Sequence, residues 1–203
     1  MHLTPQISSL HSLRILNGEE LHSSLAFSQA GCLQHLTLGP DHAMTNRALL
    51  RILEEIPELV SLNIFYDGFL NVSENGFDLP SFQGLPRLQN LVVRHQGVGN
   101  IEDFDILFLW IELLARPSPL TALSILSDDW KLCRSPNLLI EFLKTKLNMS
   151  FINIDHVRLR ARAVSELLNN LPNLKTLSFF LADAKDLVSL FFNHHKENDT
   201  SLY

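Results

Sequence analysis

One spacing recurs through the chain and limits what it can fold into: Leu-x-x-Leu-x-Leu, with conservative apolar replacements. It runs Leu10, Leu13, Ile15; Leu33, Leu36, Leu38; Leu59, Leu62, Ile64; and Leu88, Leu91, Val93. It continues as Leu120, Leu123, Ile125; Met149, Ile152, Ile154; and Leu174, Leu177, Phe179, the sixth copy being the weakest. The first positions lie 23 to 32 residues apart, a period too regular for a merely Leu-rich chain. Positions four and six are two residues apart, so in a short strand both side chains point to one face. Position one turns into the same core.

Helical spacing fills several of the gaps. Ala48 to Ile56 has apolar residues three and four apart and stops at Pro57; Val164, Leu167, Leu168 and Leu171 do the same before Pro172. Phe108, Ile111, Leu114 and Ala115 precede Pro117, and Leu139, Phe142, Leu143 and Leu147 precede the sixth strand. Proline lacks an N–H donor and biases its predecessor away from helix, so it ends each segment where a strand must begin. Strand, helix, strand without hairpin turns demands parallel strands joined by right-handed crossovers. The expected architecture is an α/β solenoid. A parallel sheet lines its concave side, with strands near 13–15, 36–38, 62–64, 91–93, 123–125, 152–154 and 177–179, and helices cover the convex side. Residues 1–203 form a single domain of about seven units in this reading. The stretch from Asp67 through Gly84 shows little helical pattern and reads as an irregular or short-helix unit with a surface loop that could help binding, and Arg94 to Asp105 reads as another loop.

These residues resemble the leucine-rich-repeat superfamily from about residue 7 to 190. The long, uneven units ending in the junction Leu171-Pro172-Asn173-Leu174 to Leu177 are most similar to the repeat region of fungal F-box/leucine-rich-repeat proteins. That resemblance implies substrate recognition for a cullin–RING ubiquitin ligase. The F-box itself is not seen, because the first unit begins by residue 10.

Composition narrows the function. A net charge of −6 argues against a nucleic-acid partner, and no apolar run is long enough for a transmembrane helix. Cys32 and Cys133 are too few and too far apart for a disulfide scaffold, and read as small buried fillers in a reducing compartment, cytoplasmic or nuclear. Asn71-Val72-Ser73 and Asn148-Met149-Ser150 match the glycosylation triplet, which needs a secretory route. Arg158, Arg160 and Arg162 read as a solvated turn and helix start. No phosphate loop, dinucleotide fingerprint or nucleophile elbow occurs, and Gly97-Val98-Gly99 lacks the third glycine. Cys133 shows no neighbouring base. His194-His195 lacks the i, i+4 spacing that grips zinc, and neither Asp128-Asp129 nor Glu102-Asp103-Asp105 has calcium-loop spacing. No catalytic, cofactor or metal site is expected.

The expected activity is therefore binding. Positions three, five and seven of each strand face away from the core; position five is mostly Ser, Thr, Asn or Arg, and position seven includes Leu16, Phe65, Arg94, Leu126, Asp155 and Phe180. Aromatic and arginine side chains are frequent interface anchors. Phe65, Arg94, Leu126, Phe151 and Asp155 are the candidate centre of a protein- or peptide-binding groove on the concave face. The competing reading turns position seven partly inward or covers it with the following loops. Two classes of function fit such a module: a ligase substrate receptor, or a regulatory protein that binds an enzyme or GTPase as inhibitor or activator. Self-association through uncapped solenoid ends is a further expectation, because Leu187, Leu190, Phe191 and Phe192 come late in the chain.

Overall fold

The computed structural model describes residues 9–17, 30–41, 46–66, 82–95, 111–127 and 136–181. Seven strands are described: β1 (Ser12–Asn17), β2 (His35–Asp41), β3 (Ser61–Tyr66), β4 (Asn90–His95), β5 (Ala122–Ser127), β6 (Phe151–Leu159) and β7 (Thr176–Leu181). They form one sheet in sequence order, every pair parallel. Helices α1 (Asn46–Glu54), α2 (Pro136–Lys144) and α3 (Ala161–Asn170) and the helical residues 111–115 supply crossovers. The result is an α/β solenoid of the leucine-rich-repeat kind.

Register explains why the spacing builds this sheet. Position four forms one row, Leu13, Leu36, Leu62, Leu91, Leu123, Ile152 and Leu177, each paired with the next. Position six forms a second row from Ile15 through Ile64 and Ile125 to Phe179. The side chains of both rows are buried from β2 to β6 and half-buried in β1 and β7, the two edges. The sixth unit is as well buried as any, with Met149, Ile152 and Ile154 all at 0% exposure, so its unusual residue types did not weaken the packing. Leu50 and Leu53 of α1, Leu139 and Leu143 of α2, and Val164 and Leu167 of α3 close the same core.

A second repeat lies in the backbone. The carbonyl before each strand accepts two N–H bonds from the next unit: Gln34 and His35 donate to His11, and Val60 and Ser61 donate to Gln34. The bracket repeats at Val60, Gln89, Thr121 and Ser150, with distances between 2.8 and 3.1 Å. Each unit is thus anchored on its predecessor before its strand begins. Buried backbone groups need such partners, and here each unit satisfies its neighbour's.

Entry into position one uses a tight turn. Leu33 donates to Ala30 O, Leu59 to Ile56 O, Leu88 to Leu85 O, Met149 to Lys146 O and Leu174 to Leu171 O, at 2.9 to 3.2 Å. Pro57, Pro86 and Pro172 fill the second place of three of these turns, where a fixed φ suits the bend. This turn corrects two expectations. Cys32 occupies a turn corner and is an exposed free thiol, not a buried filler. Leu147 does not extend the helix: α2 ends at Lys144, and Leu147 sits in the proline place with 62% of its surface exposed.

Further differences concern length and loops. Strand β6 reaches Leu159, so Arg158 is in a strand rather than a turn, while Arg160 and Arg162 are exposed at the start of α3 as expected. Arg94 and His95 belong to β4, not to a loop. Gly39, at position seven of β2, is buried and presents no side chain to the outer face. Of the stretch read as irregular, residues 82–84 are described and are neither helix nor strand; just after them, Leu85 N–H donates to Leu114 O of the helical residues 111–115 at 2.9 Å. Gly84 has φ +87°, and a Cβ there would meet Pro117 Cδ at 2.6 Å and Leu113 O at 2.9 Å, so only glycine permits the approach.

Lys146 was not singled out by the sequence. It fills the first turn place that Ala30, Ile56, Leu85 and Leu171 fill in other units, and it is buried. Its ammonium donates to the carbonyls of Ala115, Arg116 (2.9 Å) and Ser118 (3.3 Å), and lies 5.3 Å from the centroid of the Phe142 ring. The carbonyls at the end of the preceding helical segment carry the negative end of its dipole, so a cation there caps them. Burial pushes the Lys146 pKa down, and nearby Glu112 pulls it partly back up. Between helices, Lys144 bridges Glu141 and Glu166, which raises the Lys144 pKa and lowers that of Glu166. Among the described residues no helix is long and apolar enough to cross a membrane.

Candidate open-face binding site

The helices cover one face of the sheet, and positions three, five and seven make the other. On that open face the register aligns Arg14, Thr37, Asn63, Val92, Ser124, Asn153 and Ser178 in the position-five row. The small polar side chains between two buried positions follow from the alternation of a strand.

Position seven brings three of the candidate residues together. Phe65, Arg94 and Leu126 are consecutive partners across β3, β4 and β5. The Arg94 guanidinium carbon lies 5.5 Å from the centroid of the Phe65 ring, within cation–π range. Phe65 and Leu126 are half-buried, and Arg94 is exposed. The pair fixes the direction of Arg94 while leaving guanidinium donors for another group. No carboxylate among the described residues pairs with Arg94.

The other two candidates stand apart. Phe151 belongs to the position-three row, partnered with Ala122 and Thr176, at the opposite end of the strands. It lies about 13 Å from the Phe65 row along the strand direction, and it is 37% exposed. Asp155 lies in β6, and its side chain is outside the described residues. The site is thus a compact trio with a separate aromatic edge.

The position-five row holds two polar atoms that sequence reasoning did not single out. Asn63 Oδ1 and Asn153 Oδ1 are buried without a hydrogen-bond partner. Buried amide oxygens normally have partners. Their spacing in the sequence gives only their row; the loss of a partner depends on how each amide rests against its neighbours. Elsewhere on this face Asn90 Nδ2 donates to Ser61 Oγ at 3.4 Å.

Among the described residues, no three His, Cys, Asp or Glu side chains gather as metal ligands. Cys133, Gly97, Gly99, Asp128, Asp129, the Glu102–Asp105 cluster, His194, His195 and the apolar residues from Leu187 to Phe192 lie outside the described residues.

No protein-family model matches the chain, and no curated protein matches it. Among solved structures it is similar to the crystal structure of an internalin (inlF) from Listeria monocytogenes str. 4b F2365, at 17% sequence identity and a TM-score of 0.45. The match covers 90% of this chain and 46% of that one, so the chain spans less than half of the internalin. The register and burial of its own repeats make this chain a leucine-rich-repeat α/β solenoid.

Proposed function

We propose that the chain is a non-catalytic protein-binding module that receives a protein or peptide partner on the open face of its sheet, read as the concave side of the arc. The observation that carries the reading is the row Phe65, Arg94 and Leu126, where an oriented cation lies between an aromatic and an aliphatic side chain. Interface hot spots favour aromatic residues and arginine over the small polar residues that surround them here. Phe151 at the start of β6 extends the proposed surface.

Affinity capture from a cell extract, followed by reconstitution with the purified captured protein, tests this. The double variant Phe65→Ala/Arg94→Ala is expected to lose binding about a hundredfold, with a melting temperature within about two degrees of the parent. A collapse of the melting temperature instead would make these residues core.

The substrate-receptor reading stays within this proposal and is supported by the Leu171–Leu177 junction. Ubiquitination of the captured protein by a ligase assembled with the chain distinguishes it from a regulator, which would change the rate of a purified enzyme or GTPase instead. Localisation in the cytoplasm or nucleus fits either reading.

A further inference from the structure

The described charged side chains are sorted by face. The described carboxylate side chains are Glu54, Glu55, Glu58, Glu112, Glu141 and Glu166, and all lie on helices or on the turns that follow them. Four of them are already engaged by cations: Glu58 by Arg87, Glu112 by Arg116, and Glu141 and Glu166 by Lys144. On the open face the described side chains have the opposite sign. Its described charged side chains are Arg14 at position five of β1 and Arg94 at position seven of β4, both exposed and neither in an ion pair with a described residue. His35, also exposed, stands beside the Arg14 row at the start of β2. Among the described side chains, the sheet face of a chain whose net charge is −6 is therefore cationic.

From this sorting we infer that the open face takes an extended acidic protein segment, with one carboxylate on Arg94, a second on Arg14 and an apolar side chain against Leu126. The inference rests on the open-face binding reading above and adds the chemistry of its partner. Adjacent strands are about 4.8 Å apart, so three strands separate the two arginines by about 14 Å laterally, and two residues along the strand add about 7 Å. The resulting span of about 16 Å matches carboxylates four or five residues apart in an extended chain. Cation–π contact with Phe65 holds the Arg94 guanidinium in place, which reduces the ordering cost of a charge-assisted bond to a carboxylate. Leu126, the next partner of Arg94 in the row, supplies the apolar contact beside that bond. A nucleic acid would also meet the arginines and the ring. The helix-side carboxylates and the net negative charge repel its long phosphate chain, whereas a short peptide touches only the cationic face.

A phage-displayed random dodecapeptide library panned on the full chain tests the inference, with selected sequences resynthesised and measured by fluorescence anisotropy. Selected peptides are expected to carry two Asp or Glu residues four or five apart with a neighbouring apolar residue, and to bind more weakly as salt rises. Arg94→Glu and Arg14→Glu should each weaken them about tenfold or more, while Arg51→Glu on the exposed side of α1 changes nothing. Arg94→Gln provides the same test without charge reversal if the Glu variant melts early. Neutral or basic selected peptides that depend on Phe65 and Leu126 would overturn the acidic partner and leave the binding face standing. Peptides unaffected by Phe65→Ala, Leu126→Ala and both arginine variants would remove both readings. Failure to enrich acidic peptides, with a labelled twelve-uridine oligonucleotide bound in an Arg94-dependent way, would replace the acidic segment by a nucleic acid.

Discussion

Leu91 and Arg94 are three residues apart on one strand and live in different environments. Leu91 is fully buried between Leu62 and Leu123, with helices closing the face behind it. Arg94 is exposed, with its guanidinium over the ring of Phe65. The helix-facing side spends its side chains on cohesion between units; the open side keeps charged and aromatic groups available. Because strand side chains alternate, one strand serves both purposes without compromise. Stability and recognition are therefore separable by sequence position.

The largest effect should come from breaking the sealed face at its centre. Leu91→Ala removes a side chain from a row that cannot collapse around the gap and should cost about 3–5 kcal/mol, read from urea unfolding. Arg94→Ala, by contrast, should cost less than about 0.5 kcal/mol. Equal losses in the two variants would erase the distinction between faces. An intermediate effect is expected from Gly84→Ala, which combines a positive φ with overlap on Pro117 and should destabilise by about 2–4 kcal/mol. Thermal unfolding of this variant checks whether the close approach of Gly84 to Pro117 and Leu113 is needed for stability.

A smaller effect than that of Gly84→Ala has the opposite sign. Leu147→Pro puts proline where Pro57, Pro86 and Pro172 already stand and should stabilise by about 0.5–1 kcal/mol, provided the Lys146 cap is retained. A destabilised variant would mean that the turn after α2 differs from its counterparts. It would then be the Lys146 contacts, rather than the turn, that hold units five and six together.

Much of the fold was legible because strand alternation and parallel stacking act on simple side-chain volume. Leu36, Leu62, Leu91 and Leu123 mark one row from their spacing alone, and the structure places them as partners. Cys32 and Leu147 were misread because their residue types suggest burial while their turn places dictate exposure. Alignment of the units by their first position exposes the error, since these residues fall beside Glu58 and Pro57 in the equivalent turn. Lys146 escaped notice for the reverse reason: lysine usually seeks water, and only the carbonyls of a neighbouring unit make a buried place for it.

The candidate site was legible in part. Register alone joins Phe65, Arg94 and Leu126, and the same counting places Phe151 four positions away, at the far end of the strands. The stacking of Arg94 on Phe65 depends on side-chain geometry that spacing does not carry. So do the unpartnered oxygens of Asn63 and Asn153, and the sorting of the described carboxylates onto the helix side.

The most direct test of two-faced strands is thiol labelling along β4. In a Cys32→Ser/Cys133→Ser background, single substitutions Leu91→Cys, Val92→Cys, Val93→Cys and Arg94→Cys are each treated with a soluble maleimide under native conditions. Labelling at 92 and 94 should be fast, and labelling at 91 and 93 should be at least about a hundredfold slower, because reagent reaches those positions only through opening of the sheet. Uniform rates at all four positions, or fast reaction at 91 and 93, would contradict the account.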